Sequence, residues 1–300
     1  MSDPRAVRLA VLGSPIAHSL SPALHSAAYR TLGLPWDYGI EDVPSDGLAA
    51  FVAGLGPGWR GLSLTMPLKR TVLPLLDTVD PIAAATGAAN TLLLGAEDDR
   101  RVLSGFNTDV YGVARSLRDA GVTRVRTARV LGGGATAGSV IAALADLGAL
   151  RILVSVRDPA RAADLVALGR RLGTDVALHT FGDGADRSEP QPDVVASTLP
   201  GSAVVEVPFD DAVLRHAVLF DVVYAPWPTA LAARWGAAGG TVVPGIDMLI
   251  HQALLQVRIF VGADPAAVLP DEPAVLAAMA ASVHRELGRE WRGQAAVGGF

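Results

Sequence analysis

Apolar positions in this chain fall into short runs separated by stretches of helical period, the alternation expected of an α/β protein. In the first third the pattern predicts strands near Arg8–Leu12, Trp36–Ile40, Arg60–Thr65, Asn90–Leu94 and Val102–Gly105, with helices over Pro22–Leu32, Ser45–Leu55 and Pro81–Thr86. Ser21-Pro22 reads as a helix start, serine as cap and proline at the first helical position. From Asp109 the character changes. A helix over Val110–Ala120 leads to an apolar strand, Ala128–Leu131, then a Gly-rich turn and a helix through Leu147. Strand Ile152–Val156 and helix Ala160–Leu172 follow, and apolar runs recur at Val176–His179, Val194–Ser197, Val218–Val223 and Thr241–Val243. Nearly continuous apolar strands between helices are what a parallel sheet covered on both faces requires. The stretch Asp247–Glu290 is helical again. The expected organisation is an N-terminal α/β domain over 1–108, a Rossmann-type doubly wound domain over 109–244, and C-terminal helices over 245–300 returning to the first domain.

Composition narrows the function. The 300 residues carry a net charge of −5 with no Lys/Arg block, which argues against nucleic-acid or anionic-membrane binding. Zero Cys excludes disulfides, thiolate metal sites, iron–sulfur clusters and Cys nucleophiles. No apolar run approaches the roughly 18 residues of a membrane span, and Met1–Ala10 lacks the basic and apolar regions of an export signal, so a cytoplasmic protein is expected. His179, His216 and His284 show no metal-ligand spacing, and no metal is expected. His18 suits a local turn hydrogen bond, while His251, Trp227, Trp235 and Trp291 read as packing residues. One detail stands out among the 25 basic residues: a single lysine, Lys69.

The Gly-rich turn is Gly132-Gly133-Gly134-Ala135-Thr136-Ala137, directly after a strand and opening a helix. It satisfies the dinucleotide-binding pattern: Gly132 for the tight turn, Gly134 for close backbone approach to a pyrophosphate, and Ala137 for close helix–strand packing. At the end of the next strand a carboxylate would accept a ribose 2′-hydroxyl, whereas arginines would meet a 2′-phosphate. Arg157 and Arg161 lie four apart, so that a helix starting at Pro159 would aim both at one phosphate, which points to NADP, while Asp158 would either cap that helix or serve NAD.

Further hydrogen-bonding residues sit at strand ends and strand-to-helix turns, where α/β sheets bind ligands. They occur in Gly13-Ser-Pro-Ile-Ala-His-Ser19-Leu-Ser21-Pro22, in Gly61-Leu-Ser-Leu-Thr65-Met-Pro-Leu-Lys69, in Gly87-Ala-Ala-Asn90-Thr91 and in Gly105-Phe-Asn107-Thr108-Asp109. Together with Asp221-Val-Val-Tyr224-Ala-Pro-Trp-Pro-Thr229 and Val243-Pro-Gly245-Ile-Asp-Met248-Leu-Ile-His-Gln252, these segments resemble the shikimate dehydrogenase family over nearly the whole chain and in order. The resemblance implies NADP-dependent reduction of 3-dehydroshikimate to shikimate in aromatic amino-acid biosynthesis. It implies that Ser19 and Ser21 hold the substrate carboxylate, that Thr65, Asn90, Tyr224 and Gln252 are further substrate ligands, and that Lys69 and Asp109 are the catalytic pair. Gly245 and Met248 would lie near the nicotinamide. The chain departs from the family's frequent Asn-Arg-Thr after the second strand, having Val156-Arg157-Asp158, which bears on cofactor choice.

Ketone reduction needs hydride at carbon and a proton at the developing alkoxide. Lysine suits the second task because burial readily brings its proton exchange towards neutrality, while arginine stays protonated. Three other readings compete: a quinate/shikimate dehydrogenase using NAD through Asp158, a non-catalytic NADP-binding regulator of the same fold, and a nucleic-acid-binding α/β protein. The presence of both Lys69 and Asp109 argues against the regulator, and the acidic balance against the last. Either a monomer or a homodimer is compatible with the sequence.

Overall fold

The computed structural model describes residues 7–98, 100–182, 191–201, 203, 205 and 207–297, with side chains through residue 287. The chain forms two compact units, Met1–Thr108 with Gln252–Phe300, and Asp109–His251. Among the described residues no helix is long and apolar enough to cross a membrane.

The first unit is built from β1 (Arg8–Gly13), α1 (Ser21–Thr31), β2 (Asp37–Asp42), α2 (Leu48–Ala53), β3 (Trp59–Leu64), α3 (Leu68–Thr71), β4 (Thr78–Val79), α4 (Pro81–Thr86), β5 (Thr91–Glu97) and β6 (Arg100–Phe106). The strands form a mixed sheet in the order β2-β1-β3-β5-β6-β4. β1 pairs in parallel with β2 and β3, whereas β5 runs antiparallel to both β3 and β6. Leu62 and Leu64 of β3 face a core shared with Leu48, Val52, Leu68 and Ala83 from the small helices. By the two-residue period of a strand, Gly61 and Ser63 face the opposite side. There Gly61 receives the ring of Phe260, which would lie 2.3 Å from a Cβ at that position.

The serine cap expected at Ser21 is not formed. Leu20 holds the cap position in helical conformation without a side-chain bond, so Ser21 is already inside the first turn. Its N–H donates instead to the Ser19 hydroxyl oxygen at 3.3 Å.

The second unit starts with α5 (Asp109–Asp119), β7 (Thr127–Leu131), α6 (Ala135–Asp146), β8 (Arg151–Val156), α7 (Ala163–Leu172) and β9 (Asp175–Thr180). It continues through β10 (Val194–Ser197), α8 (Asp211–His216), β11 (Val218–Asp221), α9 (Ala230–Ala237) and β12 (Val242–Pro244). Six parallel strands lie in the order β12-β11-β10-β7-β8-β9, the doubly wound dinucleotide-binding arrangement. Val130, Val154, Val194 and Phe220 from four of the strands are fully buried with Val140, Ile141 and Leu144 of α6. The apolar run expected to extend to Val223 ends as a strand at Asp221, whose carboxylate accepts the Val223 N–H at 3.2 Å and turns the chain. Trp235 is fully buried with its indole N–H donating to the Ala217 carbonyl at 2.8 Å, and Trp227 packs against the same cluster. The side chain of Trp291 lies outside the described residues.

The helical stretch expected over Asp247–Glu290 forms two helices, α10 (Gly245–Gly262) and α11 (Glu272–Val297). Pro265 and Pro270 fall in the break, and Ala263 and Asp271 at its edges adopt positive φ, so the helical hydrogen-bond ladder cannot run through. Arg258 and Glu272 close the break with paired bonds of 2.7 and 2.5 Å, and α11 then packs along α1.

Polar contacts as well as apolar ones hold α10 against the first sheet. His25 of α1, fully buried, stacks on Tyr38 with ring centroids 4.0 Å apart. Its Nδ1 lies 3.1 Å from the Tyr29 hydroxyl and its Nε2 3.2 Å from Gln256 Oε1. Burial pushes the imidazole pKa from 6.5 down to about 3, against a partial offset from the Gln256 contact, so the ring is neutral. A neutral ring has one N–H; Nε2 donates it to Gln256 Oε1, and Nδ1 accepts from Tyr29. Between pH 6.5 and about 3 the unfolded chain takes up a proton at this histidine that the folded chain refuses. Its contribution to stability is therefore complete above pH 6.5 and declines below it, by roughly 1.4 kcal/mol per pH unit. Urea unfolding of the native chain and of His25→Gln from pH 7 to 5 is expected to show a steeper loss in the native chain. Equal slopes would exclude the buried neutral histidine.

Candidate functional site

In the first unit, the loop after β1 and the loop after β3 approach closely. A Cβ on Gly13 would lie 2.6 Å from Thr65 Cγ2 and 2.9 Å from the Met66 carbonyl, so only glycine fits without displacement. The approach is fixed by Thr65 N–H donating to the Leu12 carbonyl at 2.9 Å and Ser14 N–H to the Met66 carbonyl at 3.1 Å. Thr65 and Lys69 are half-buried, and the Leu68 N–H bonds back to the Thr65 carbonyl at 2.7 Å, closing the turn that starts α3. The Lys69 carbonyl accepts the Ala89 N–H at 2.8 Å, which fixes the lysine backbone to the segment leading into Asn90.

Asn90 is the centre of a buried cluster. Its Oδ1 accepts the Thr108 N–H at 2.9 Å and the Thr91 hydroxyl at 2.9 Å. Its Nδ2 donates to Thr108 Oγ1 at 2.8 Å and to Gln252 Oε1 at 3.3 Å. Two of the expected ligands, Asn90 and Gln252, are thus brought together although 162 residues apart. The scaffold beneath them is α4, capped by Asp80, whose Oδ1 accepts the Ala83 N–H at 2.8 Å, and ended by Gly87 in the left-handed region. Thr86 of α4 accepts from Asn107 Nδ2 at 2.8 Å, which positions the segment entering Thr108. Burial raises the Asp80 pKa, with backbone bonds from Ala83 and Asn107 opposing it. Ser19 is half-buried and Ser21 buried, while His18 is exposed.

In the second unit, Gly132 takes φ +106°, and a Cβ there would lie 2.6 Å from Thr198 Oγ1. The loops after β7 and β10 meet at this point, the topological switch of the sheet, where doubly wound folds bind nucleotides. A Cβ on Gly133 would crowd Val156 and Ala162, whereas one on Gly134 would meet nothing within 4 Å. Gly134 caps α6 without a side chain, Ala135 and Thr136 form its first turn half-exposed, and Ala137 is fully buried against the sheet. A helix N-terminus presented this way, behind an open glycine backbone, fits a pyrophosphate.

Asp158 caps a 3-10 turn, Pro159–Ala162, accepting the Ala160 N–H at 3.0 Å. That bond uses the carboxylate locally. The helix expected to start at Pro159 opens as a 3-10 turn, with Arg157 before its cap, Arg161 within it, and the α-helix starting only at Ala163. Both arginines are exposed beyond the end of β8.

Asp109, buried, opens α5, where the helix dipole favours a carboxylate. Asp221 ends β11 and accepts the Thr229 hydroxyl at 2.6 Å, while Thr229 Oγ1 accepts the Ala232 N–H at 3.1 Å and so caps α9. Burial raises the Asp221 pKa against these bonds. Half-buried Tyr224 stands in the loop between these two anchors. Gly245 begins α10 so close to Val222 that a Cβ would fall 1.9 Å from its carbonyl oxygen, and Met248 is buried one turn on. His251, expected only to pack, reaches Asp119 Oδ2 with Nε2 at 3.0 Å; burial lowers its pKa, and Asp119 partly opposes this.

Sequence reasoning named Thr91 and Thr108 within their segments without a role, and missed Tyr38, His25 and Gln256, all buried in the first unit. A signal existed for one of them. Gln256 lies four residues after Gln252 on the same helical face, with only apolar residues between them.

A family model for the shikimate dehydrogenase substrate-binding domain matches residues 11–92. The shikimate dehydrogenase (NADP(+)) of Moorella thermoacetica is 36% identical over 270 residues, covering 87% of this chain and 90% of the relative. The crystal structure of Mycobacterium tuberculosis shikimate dehydrogenase superposes with a TM-score of 0.77 at 39% identity, over 92% of this chain and 99% of that one. The Thermus thermophilus shikimate 5-dehydrogenase, solved in complex with NADP(H) and shikimate, gives a TM-score of 0.75 at 31% identity over 92% and 99%. On its substrate-side cluster, its doubly wound sheet and these relatives, the chain belongs to the shikimate dehydrogenase family.

Proposed function

We propose that this chain catalyses the reversible NADPH-dependent reduction of 3-dehydroshikimate to shikimate, with Lys69 as proton donor and, in the reverse direction, proton acceptor. The observation that carries the reading is the linkage of Lys69, through its carbonyl and Ala89, to the Asn90–Thr108–Gln252 cluster. A transferable proton and a set of hydroxyl-recognising amides are thereby held on one scaffold.

Ser19 and Ser21 bind the substrate carboxylate, and Thr65, Asn90, Tyr224 and Gln252 bind its oxygens. Asp109 supplies a carboxylate that accepts a substrate hydroxyl. Gly132, Gly133, Gly134, Ala135, Thr136 and Ala137 hold the pyrophosphate, Arg157 and Arg161 the 2′-phosphate, and Gly245 and Met248 border the nicotinamide. Asp158, committed to its cap, leaves the arginines as the charged groups for the adenosine ribose, which supports NADP. When bound, the reduced nicotinamide supplies the hydride to the ketone carbon. As that carbon becomes tetrahedral its oxygen takes on negative charge, and the Lys69 ammonium gives a proton from Nζ to it, yielding the alcohol.

Oxidation of NADPH, followed by absorbance with 3-dehydroshikimate, is expected to be faster than that of NADH. No turnover with either nucleotide would overturn the reading. Lys69→Arg keeps the charge but loses the exchangeable proton, and kcat is expected to fall by roughly 10²–10⁴ with the substrate KM little changed. A kcat within a few-fold of the native value would remove Lys69 from the proton transfer.

A further inference from the structure

Two main-chain groups set the polarity of the amide cluster around Asn90. A backbone N–H only donates, so the Asn90 atom 2.9 Å from the Thr108 N–H is its oxygen. A backbone carbonyl only accepts, so the Gln256 atom 3.0 Å from the Asn90 carbonyl is its nitrogen. Gln256 Nε2 also donates to Thr91 Oγ1 at 2.9 Å, and the Thr91 hydroxyl gives its own proton to Asn90 Oδ1 at 2.9 Å. The Thr108 N–H and the Thr91 hydroxyl thus engage both lone pairs of Asn90 Oδ1. Asn90 Nδ2 donates to Thr108 Oγ1 at 2.8 Å and to Gln252 Oε1 at 3.3 Å. The Thr108 hydroxyl, having accepted the first of these, has two acceptors within reach. Asn90 Oδ1, at 3.1 Å, is already filled, and Gln252 Oε1, at 3.3 Å, takes the proton. Gln252 Oε1 therefore faces two donors. Thr108 is 0% exposed, so it meets no ligand itself, and no step of the proposed chemistry uses it.

We propose that Thr108 is a positioning residue for the substrate, turning the Gln252 amide so that its nitrogen, and not its oxygen, is presented to the ligand. The inference deepens the substrate reading given above and rests on it. The two ends of a glutamine amide are nearly alike in shape, so hydrogen-bond partners decide which end faces which way. With Oε1 turned to Asn90 Nδ2 and Thr108 Oγ1, Nε2 points to the other side of the amide carbon, and its N–H groups only donate. Such a group selects a ligand atom with a lone pair, a hydroxyl or carbonyl oxygen, and disfavours an atom that can only donate. The flipped amide would set Nε2 against Asn90 Nδ2, two donors with no lone pair between them. Water is scarce enough there to make that costly, since Asn90 is 3% and Gln252 7% exposed. The backbone holds Thr108 in place from both sides: the Asn90 N–H donates to the Phe106 carbonyl at 3.0 Å, and Asn107 Nδ2 to Thr86 Oγ1 at 2.8 Å.

Thr108→Val keeps the side-chain shape and the backbone N–H and removes only the hydroxyl. In steady-state assays the KM for shikimate is expected to rise about tenfold, the effect of losing roughly one hydrogen bond, with kcat and the KM for NADP little changed. Thr108→Ala, which puts no methyl in the place of the hydroxyl, is expected to raise the shikimate KM in the same direction, and Thr108→Ser, which restores the hydroxyl, to return it close to the native value. Because Thr108 acts in part through Gln252, Thr108→Val combined with Gln252→Ala is expected to raise the KM by less than the product of the two single effects. A merely structural role would move kcat and both KM values together, leave Thr108→Ser as impaired as Thr108→Val, or give effects that multiply. Each of these results overturns the proposal, as does an unchanged shikimate KM in both Thr108→Val and Thr108→Ala. The donor assignment has its own readout in 15N-labelled protein: the Gln252 side-chain NH2 signals, identified by their absence from Gln252→Ala, are expected to shift when shikimate is added. Absence of turnover in the native chain with shikimate and either nucleotide would overturn the functional reading and this inference with it. Turnover in the native chain with unmoved Gln252 signals would overturn this inference alone.

Discussion

A glutamine side chain taken out of water has two lone pairs and two N–H groups to satisfy, and Gln256 satisfies all four. Its oxygen faces Ser63 and His25, and its nitrogen donates to the Asn90 carbonyl and Thr91. One amide thereby joins α10 to α1, β3 and β5. Losing a partner would leave a buried polar atom unsatisfied, at a cost of about 1–3 kcal/mol, so the four contacts favour one mutual arrangement of these elements over its neighbours. The residues expected to meet the substrate are on the same elements: Ser21 on α1, Asn90 just before β5, and Gln252 one turn before Gln256 on α10. The constraint that holds the C-terminal helix on the N-terminal sheet is thus also the one that sets the spacing of the candidate ligands.

The two units achieve order by different means. In the first, side chains do it, through amides and hydroxyls buried at the start of β5 and along α10. In the second, the backbone does it. Gly132 takes a left-handed conformation against Thr198, and α6 begins behind a glycine that carries no side chain to cover its N–H groups. The first arrangement suits a small polyhydroxylated acid recognised oxygen by oxygen, and the second a diphosphate recognised by peptide dipoles. Lys69 belongs to the first kind, and its backbone position is inherited from the same Asn90 segment.

Much of this was legible in the sequence because it depended on local patterns. Apart from the two-residue β4, the strands of both sheets, the glycine turn after β7 and the isolated Lys69 follow from period, spacing and residue chemistry. What was not legible depended on contacts between distant segments or on competition at helix ends. Ser21 looked like a cap, but Leu20 already holds the cap position in helical conformation and Ser21 lies buried inside the first turn. The helix expected from Pro159 begins as a 3-10 turn capped by Asp158, a competition at the helix end that spacing does not show. His25 carries no motif of its own, and only its burial between Tyr38 and Gln256, the latter 231 residues away, reveals its neutral state.

Asn90 and Gln252 are held against each other by contacts within the first unit, so shikimate is expected to bind before any nucleotide. Calorimetric titration of the nucleotide-free protein with shikimate tests it most directly. A saturable single-site isotherm without nucleotide is the predicted result, and no saturable binding until NADP is added would contradict it.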